Sequence, residues 1–341
     1  MIRPASLDLP AGQAFEERLA TWLDAGDDLG LDPLWKGARL QVREFILRPA
    51  KRVRPTLLAL GWMLGRGEQR WAEVPQEVEQ FGVGLELLHA FMLIHDDVAD
   101  RAETRRGGPS LHRQLGEGKL GEDLAIVAGD HLYARALEAM FAGSPQAGRY
   151  MLEVCRQTAA GQHLDLVFSR APLSEVTLFR TLKVADLKTA RYGFVAPLVC
   201  GAMMGGAEAS LLEQLKRAGR HAGLAYQLRD DLMGLFGDER VTGKAGGGDY
   251  LEGKRTFPVI AAWTRADAPR RQQLEALWEA PEEEKLEQAR GLVRSLGGLA
   301  STQRVIDVRT RAARRVLQGL APSPAVSALD GMIAGLARRS T

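Results

Sequence analysis

The stretch FGVGLELLHAFMLIHDDVADRAETRRGGPSLH, residues 81 to 112, decides the fold class of this chain. Its first half is apolar at helical spacing, with hydrophobic side chains recurring every three or four positions. This apolar helix then carries three acids, Asp96, Asp97 and Asp100. Because residues i and i+4 share a helix face, we expect Asp96 and Asp100 to project together, with Asp97 beside them.

These acids and the arginines after them predict a site for a metal ion and phosphate. Three close carboxylates repel one another unless a cation lies among them, and Mg²⁺ prefers such oxygen ligands together with waters and substrate phosphates. Arg105 and Arg106 offer planar guanidinium groups that match phosphate oxygens. Gly107-Gly108-Pro109 predicts the end of the helix. The competing interpretation is a solvated acidic helix end, but the acids here end an apolar helix rather than a polar one.

Composition predicts a large protein with ample material for a core and without nucleic-acid partners. The chain has 341 residues, of which 45% are hydrophobic, and no Pro/Ser-rich linker or repeat divides it, so we predict a single domain over residues 1–341. A net charge of +2, from 45 basic and 43 acidic residues, gives no reason to expect nucleic acid. The longest nearly uncharged run, residues 192 to 207, is short for a membrane span. The first twenty residues lack signal-peptide features, so we expect a cytoplasmic protein.

The sequence DDVADRAETRRGGPS resembles the first aspartate-rich motif of the trans-polyprenyl diphosphate synthases. Five motifs in the family's order extend this resemblance from about Lys51 to Thr256. The resemblance implies an all-α fold, a single large helical bundle of the isoprenoid synthase type with a central apolar cavity. It also implies a homodimer, most like the short-chain geranylgeranyl diphosphate synthases.

The family binds isopentenyl diphosphate with a Gly-Gly-Lys-x-x-Arg-Pro motif. Lys51 and Arg54 match its charged residues, whereas Pro49-Ala50 replaces the two glycines. By the same resemblance His89 and Arg106 contact this diphosphate. His89 lies about 20° from the helix face of Asp96, although a lone histidine on an apolar helix is more often a packing residue.

The allylic diphosphate site is implied by three later motifs. Lys188-Thr189, just before a weakly polar helix over 192 to 207, resembles the family's Lys-Thr pair. The glycine-rich stretch from Thr242 to Thr256 has the composition of a flexible loop, and its Lys244 and Lys254 complete the charge around the allylic diphosphate by resemblance. Gln162 and Asp165, in a Gly-Gln-x-x-Asp pattern, are interpreted as supporting residues.

The second acid-rich motif surrounds Asp230 and Asp231, with Gln227 three residues before them. Gly234 occupies the place where many family members carry a third aspartate. Asp238 is no simple substitute on an unbroken helix, because eight residues put it about 12 Å further along the axis.

The implied reaction is ionisation of an allylic diphosphate, condensation with isopentenyl diphosphate and loss of a proton. The allylic partner is dimethylallyl, geranyl or farnesyl diphosphate, and the resemblance implies Mg²⁺, with three ions in the substrate-bound state. The residues expected at this site fall into three overlapping sets. The metal ligands are Asp96, Asp97, Asp100, Asp230 and Asp231; the catalytic set adds Arg105, Lys188, Gln227 and Lys244; the substrate-binding set is Lys51, Arg54, His89, Arg105, Arg106, Lys188, Thr189, Gln227, Lys244 and Lys254.

The length of the product depends on the floor of the apolar tunnel. In the family the residue five before the first aspartate often forms it, which is Phe91 here, whereas plain helix geometry points to Met92. We favour Phe91, and the spacing of the first motif resembles that of enzymes making twenty-carbon geranylgeranyl diphosphate. Farnesyl diphosphate or a longer polyprenyl product is the alternative.

Two other functions compete with the synthase. A class I terpene cyclase also ionises a diphosphate at an acid-rich motif, but it would leave Lys51, Arg54 and His89 idle. A non-catalytic subunit of a heteromeric synthase would have lost acidic residues from its aspartate-rich motifs. Gly234, in place of an aspartate, keeps that alternative open, whereas the intact first motif argues against it.

Overall fold

The protein is almost entirely α-helical. A computed structural model describes residues 13–25, 32–237 and 247–338. The α-helices, in chain order, are α1 (Gln13–Asp24), α2 (Pro33–Leu47), α3 (Val53–Arg66), α4 (Gln76–Ala99), α5 (Leu111–Leu115), α6 (Gly118–Gly143), α7 (Pro145–Phe168), α8 (Leu178–Val184), α9 (Ala196–Met204), α10 (Ala209–Phe236), α11 (Gly248–Leu251), α12 (Phe257–Trp263), α13 (Ala268–Glu279), α14 (Leu286–Ser295), α15 (Gly298–Gln318) and α16 (Pro324–Arg338). The all-α prediction is confirmed.

The remaining regular segments are short or unusual. A π-helix spans Ala185–Val195, and two 3₁₀ turns cover Leu173–Glu175 and Glu283–Lys285. The strands β1 (Thr104–Arg105) and β2 (Gly108–Pro109) form a two-residue antiparallel ribbon. None of the described helices combines the length and apolar content that a bilayer span requires.

The chain folds into two compact units. Unit 1 comprises the residues up to Tyr150 together with Pro197–Glu208, and unit 2 comprises Met151–Ala196 together with the residues from Ala209 onward. The single domain expected from the sequence stays a prediction, since each unit has its own internal packing.

Unit 1 contains the apolar helix with which the sequence analysis began. Helix α4 packs along α6 and buries Phe81, Leu85 and Leu88 completely. It ends at Ala99, with the backbone N–H of Asp100 bonded to the Asp96 carbonyl at 2.8 Å.

The prediction that Gly107-Gly108-Pro109 ends this helix was wrong. The helix stops eight residues earlier than Gly107, and the glycines belong to the β1–β2 hairpin. Thr104 pairs with Pro109 and Arg105 with Gly108, so Arg106 and Gly107 form a two-residue turn. Both turn residues have positive φ, 54° and 75°, as hairpins closed by two residues commonly require.

Unit 2 is organised around α10. This helix packs against α15 and the π-helix, and it buries Leu228 and Leu232 among the apolar side chains of α12 and α15. The sequence had placed Lys188-Thr189 before a helix over 192 to 207. Instead both residues lie inside the π-helix, and a separate α-helix begins at Ala196.

Close approach of α3 and α9 requires glycine at two positions of unit 1. An added Cβ at Gly61 would lie 2.2 Å from the Leu198 carbonyl oxygen, and one at Gly201 would lie 1.9 Å from the Leu58 oxygen. Because both obstacles are backbone atoms, no side-chain rotation can relieve the clash.

Gly201→Ala is therefore expected to destabilise the protein by about 1–3 kcal/mol through forced separation of α3 and α9. Urea unfolding followed by circular dichroism measures the change. The matched control is Gly37→Ala in α2, where an added Cβ meets nothing within 4 Å. The control should be neutral or stabilising by up to about 1 kcal/mol, from helix propensity alone. Equal stability of both variants would contradict the close-contact explanation.

Candidate active site

Asp97 and Arg105 form a buried ion pair at the end of α4. Asp97 is fully buried, and its Oδ1 accepts hydrogen bonds from Nε of Arg105, at 2.8 Å, and from Nη2. Burial raises the pKa of the Asp97 carboxyl, while the guanidinium of Arg105 opposes this rise. Within the described residues Oδ2 of Asp97 is buried and has no hydrogen-bond partner. Asp97 therefore fixes Arg105 and keeps one buried oxygen for a further donor or cation.

Asp96 and Asp100 differ from Asp97 in exposure. Both are half-buried, one helical turn apart, at the end of α4 where the chain leaves the helix. Within the part of the chain that the structure describes, no three acidic, histidine or cysteine side chains are gathered into a ready-made metal site. The possible metal ligands here are carboxylate oxygens, and one of them, Oδ2 of Asp97, is buried without a hydrogen-bond partner among the described residues. Such oxygens suit a cation like Mg²⁺, which also binds waters and phosphate oxygens.

Arg48 positions the hairpin that carries Arg105 and Arg106. Its Nη1 donates to the carbonyl oxygens of Arg105, at 2.9 Å, and Pro109, at 2.7 Å. The other side of its guanidinium binds Glu44 at 2.8 and 2.9 Å. An added Cβ at Gly108 would lie 2.7 Å from the Arg48 guanidinium carbon, so the glycine makes room for it. No motif marks Arg48 in the sequence, where its only signal is a basic residue beside a proline.

Lys51 and Arg54 lie at the start of α3, next to a residue with unusual backbone geometry. Arg52 precedes the helix with a left-handed φ of 42°. Its buried guanidinium binds Glu16 at 2.7 Å, Glu86 at 2.7 Å and the Ile46 carbonyl at 2.9 Å. Arg52 is thus neutralised by two carboxylates and anchors the loop that has Pro-Ala instead of two glycines. Lys51 remains exposed and Arg54 half-buried.

His89 lies among positive charges. Burial of its ring lowers the pKa of His89 well below the ordinary value, and the charges of Arg54, Arg106 and Arg105 add to the shift. Arg106 itself has a lowered pKa because of burial, an effect that the Glu86 carboxylate opposes and that Arg52 and Arg54 strengthen. Such a gathering of guanidinium groups around a neutral imidazole offers donors to a multiply charged anion.

Phe91 lies in a cluster of three rings on α4 and α6. Its ring centroid is 4.5 Å from that of His95 and 5.0 Å from that of Tyr133. An added Cβ at Gly129 would lie 2.6 Å from the His95 ring, so glycine there leaves space for the histidine. Met92, the alternative floor residue, is half-buried like Phe91.

A hydrogen-bonded chain in unit 2 joins the π-helix to the second acid-rich motif. The Thr189 hydroxyl donates to Oε1 of Gln227 at 2.5 Å, and Nε2 of Gln227 donates to Oδ1 of Asp231 at 2.8 Å. Asp231 is buried and Asp230 exposed. Burial raises the pKa of Asp231 well above its ordinary value, and the charge of Asp249 adds to this rise. The Gln227 bond acts in the opposite direction.

Lys188 extends from the π-helix to Asp165 of α7, whose Oδ2 is 2.7 Å from its ammonium nitrogen. The helices approach closely here, because an added Cβ at Gly161 would lie 2.6 Å from the Lys188 backbone nitrogen. Asp165 thus holds Lys188, in agreement with the supporting role predicted for it. Single π-helical segments inside helices are frequent at functional sites.

The glycine-rich loop of unit 2 is described only in part. Lys254 is ion-paired with Glu252, and its backbone N–H donates to the Asp249 carbonyl at 2.8 Å. The predicted site residue Lys244, together with Asp238, lies outside the described residues.

The chain is similar in sequence and in fold to several known proteins. The chain is 32% identical to the short chain isoprenyl diphosphate synthase of Methanothermobacter thermautotrophicus, over 82% of this chain and 83% of the relative. It is 36% identical to the geranylgeranyl diphosphate synthase of Mycobacterium tuberculosis, over 73% and 71%. The geranylgeranyl pyrophosphate synthase of Corynebacterium glutamicum, solved with isoprenyl diphosphate and magnesium, superposes with a TM-score of 0.87 at 28% identity and covers 98% of this chain and 100% of its own.

The all-α fold, the acid-rich helix ends and the comparisons together define an enzyme of the prenyltransferase class. More particularly, residues 39–295 match the model of the polyprenyl synthetase family, and the chain belongs to that family. The matched range contains every predicted site residue.

His89 is expected to stay neutral at pH values where an ordinary histidine, with a pKa of about 6.5, is protonated. Because its pKa is lower in the folded than in the unfolded chain, this residue reduces stability as the pH falls below about 6.5. Arg54→Met removes a neighbouring positive charge and should raise the pKa of His89. Nitrogen-detected NMR titration of the imidazole measures both values, with His89→Gln identifying the signal. A wild-type pKa near 6.5 would contradict the described environment.

Proposed function

We propose that this enzyme condenses isopentenyl diphosphate with an allylic diphosphate in a Mg²⁺-dependent reaction. The observation that carries the proposal is the set of arginines around His89. After burial of the ring, Arg54, Arg106 and Arg105 all contribute to the lowered pKa of His89, so three guanidinium groups lie around one neutral imidazole. A diphosphate would accept charge-assisted hydrogen bonds from these groups. A terpene cyclase needs no second diphosphate site, so this set favours the synthase.

The residues of unit 1 would hold the isopentenyl diphosphate. The donors would be Lys51 and Arg54 at the start of α3, Arg106 in the hairpin turn and His89. The first three carry permanent N–H donors, and neutral His89 offers one ring N–H. Arg105 is oriented by Asp97 and, through its carbonyl, by Arg48. Its fixed guanidinium suits the allylic diphosphate instead, because that diphosphate gains charge as the allylic carbon–oxygen bond breaks.

The allylic diphosphate would be held by Lys188, Thr189, Gln227 and the lysines of the glycine-rich loop. Asp96, Asp97 and Asp100, and in unit 2 Asp230 and Asp231, would hold Mg²⁺, with three ions when substrate is bound. The metal supplies positive charge that stabilises the departing diphosphate. The allylic carbon–oxygen bond breaks, the double bond of isopentenyl diphosphate forms the new carbon–carbon bond, and a proton leaves the adjacent carbon. Among the described side chains no base stands out, and the released diphosphate is our choice of acceptor.

We propose geranylgeranyl diphosphate as the main product, with farnesyl or a longer diphosphate as the alternative. The contacts of the Phe91 ring with His95 and Tyr133 support it as the tunnel floor, because two neighbouring rings restrict its movement.

We also propose a cytoplasmic homodimer. Leu120, Leu124 and Val127 lie at helical spacing on α6 and are 64%, 42% and 59% exposed. Such an apolar stripe is costly in water, and a second copy of the chain would cover it.

The synthase proposal is tested by incubating the protein with Mg²⁺, isopentenyl diphosphate and, separately, dimethylallyl, geranyl or farnesyl diphosphate, then sizing the dephosphorylated products. Wild type should elongate at least one primer. Asp96→Ala should lower the rate about 100-fold or more, because it removes a carboxylate that would hold the Mg²⁺ facing the leaving group. Asp123→Asn, at an exposed surface ion pair with Lys119, is the matched control and should leave the rate unchanged. No elongation by folded wild type would favour the cyclase or the partner subunit, and an unchanged Asp96→Ala rate would refute the metal assignment.

Phe91→Ala should lengthen the product by at least one five-carbon unit, since the small side chain opens the tunnel floor. Met92→Ala is the control, and it should keep the wild-type product. Chromatography of the alcohols from equal turnovers measures both. The same twenty-carbon product from folded Phe91→Ala would rule out Phe91 as the floor, and longer products from Met92→Ala alone would transfer that role to Met92.

A further inference from the structure

The second acid-rich motif lacks its third acid, yet a carboxylate occupies the corresponding space. Residue 234 lies four after Asp230 and therefore on the same face of α10, but it is glycine. A Cβ built on Gly234 would lie 2.2 Å from Oδ2, 2.4 Å from Cγ and 2.8 Å from Oδ1 of Asp249. All three atoms of that carboxyl group thus lie where a side chain of residue 234 would begin.

The backbone around Asp249 is fixed on both sides. The N–H of Gly247, a residue with a left-handed φ of 94°, donates to the Gly234 carbonyl at 3.1 Å and ties the segment to α10. Next to Asp249, Tyr250 is completely buried and packs edge-on against Trp278 at 5.0 Å. Asp249 also accepts a hydrogen bond from the backbone of Lys254. The turn that carries Asp249 is therefore anchored, and it holds the Asp249 carboxylate against α10.

We propose that Asp249 supplies the third carboxylate of the second metal-binding set, in the place that residue 234 would otherwise provide. This inference rests on the proposed Mg²⁺-dependent function and names a further residue of that site. The glycine is then a requirement of the arrangement, because any side chain at position 234 would displace the Asp249 carboxylate. The sequence offered no direct signal, since Asp249 follows Gly234 by fifteen residues and across a glycine-rich loop.

Electrostatics agree with this placement. The Asp249 carboxyl group lies against Gly234 of α10, the helix that also carries Asp230 and Asp231 four and three residues earlier. Asp230 adds a third negative charge on the same helix. Carboxylates brought together in this way are stabilised by a divalent cation.

The test measures Mn²⁺-dependent binding of radiolabelled inorganic diphosphate by equilibrium dialysis, a readout that needs no turnover. Two variants disturb the carboxylate differently: Asp249→Asn removes its charge, whereas Gly234→Ala keeps the charge and displaces it. Each should weaken the apparent Mn²⁺ affinity by about tenfold or more. Asp249→Ala combined with Gly234→Asp returns a carboxylate to α10 and should restore most of the affinity. Circular dichroism verifies that each variant is folded.

Matched controls separate the proposal from general effects. Gly291→Ala lies in helix α14 of the same unit, where an added Cβ meets nothing within 4 Å, and Glu283→Gln removes an exposed charge. Both should bind as wild type does.

A further variant, Asp238→Asn, tests the other acid near the motif. Three outcomes would overturn the inference: wild-type Mn²⁺ affinity in Asp249→Asn, no recovery of affinity in the double variant, or a loss of affinity in Asp238→Asn alone. Absence of Mn²⁺-dependent binding in wild type itself would instead refute the proposed function on which the inference depends.

Discussion

Repulsion between like charges that the fold holds close together is the constraint on which the rest of the structure depends. In unit 1 the charges of Arg54, Arg105 and Arg106 act on His89, and in unit 2 the Asp249 carboxylate lies against the helix that carries Asp230 and Asp231. Partial burial strengthens each repulsion, because water screens it less. Folding must therefore hold these groups by other interactions, and ligands of opposite charge gain free energy by relieving the repulsion.

Those other interactions are made by residues that need never touch substrate. Arg48 fastens the hairpin with bonds to two carbonyl groups, and Arg52 is balanced by two glutamates inside unit 1. Asp165 and Gln227 do the same for Lys188 and Asp231 in unit 2. A fixed donor loses less conformational entropy when it binds a phosphate, so this supporting layer contributes to affinity.

Sequence reasoning identified the charged residues and their order, because acids that end apolar helices and lysine–arginine pairs next to prolines leave local signals. It was wrong where the backbone departs from regular geometry. The hairpin at Arg105–Gly108 was interpreted as a simple helix end, and Lys188 was placed before a helix instead of within a π-helix. Asp249 and Arg48 escaped notice because their roles depend on contacts between residues distant in sequence. Periodicity reports which residues share a face of one helix, and it carries no information on which loop returns to that face.

The hydrogen bonds of Gln227 run in one direction through the second acid-rich motif. The amide oxygen of Gln227 accepts a hydrogen bond from Thr189, while its amide nitrogen donates one to Asp231. An ionised glutamate of nearly the same shape would accept at both ends and would face the Asp231 carboxylate as a second anion. Position 227 consequently tolerates an amide but not its isosteric acid. That discrimination arises from the direction of a hydrogen-bond chain, whereas the volume of the side chain is irrelevant to it.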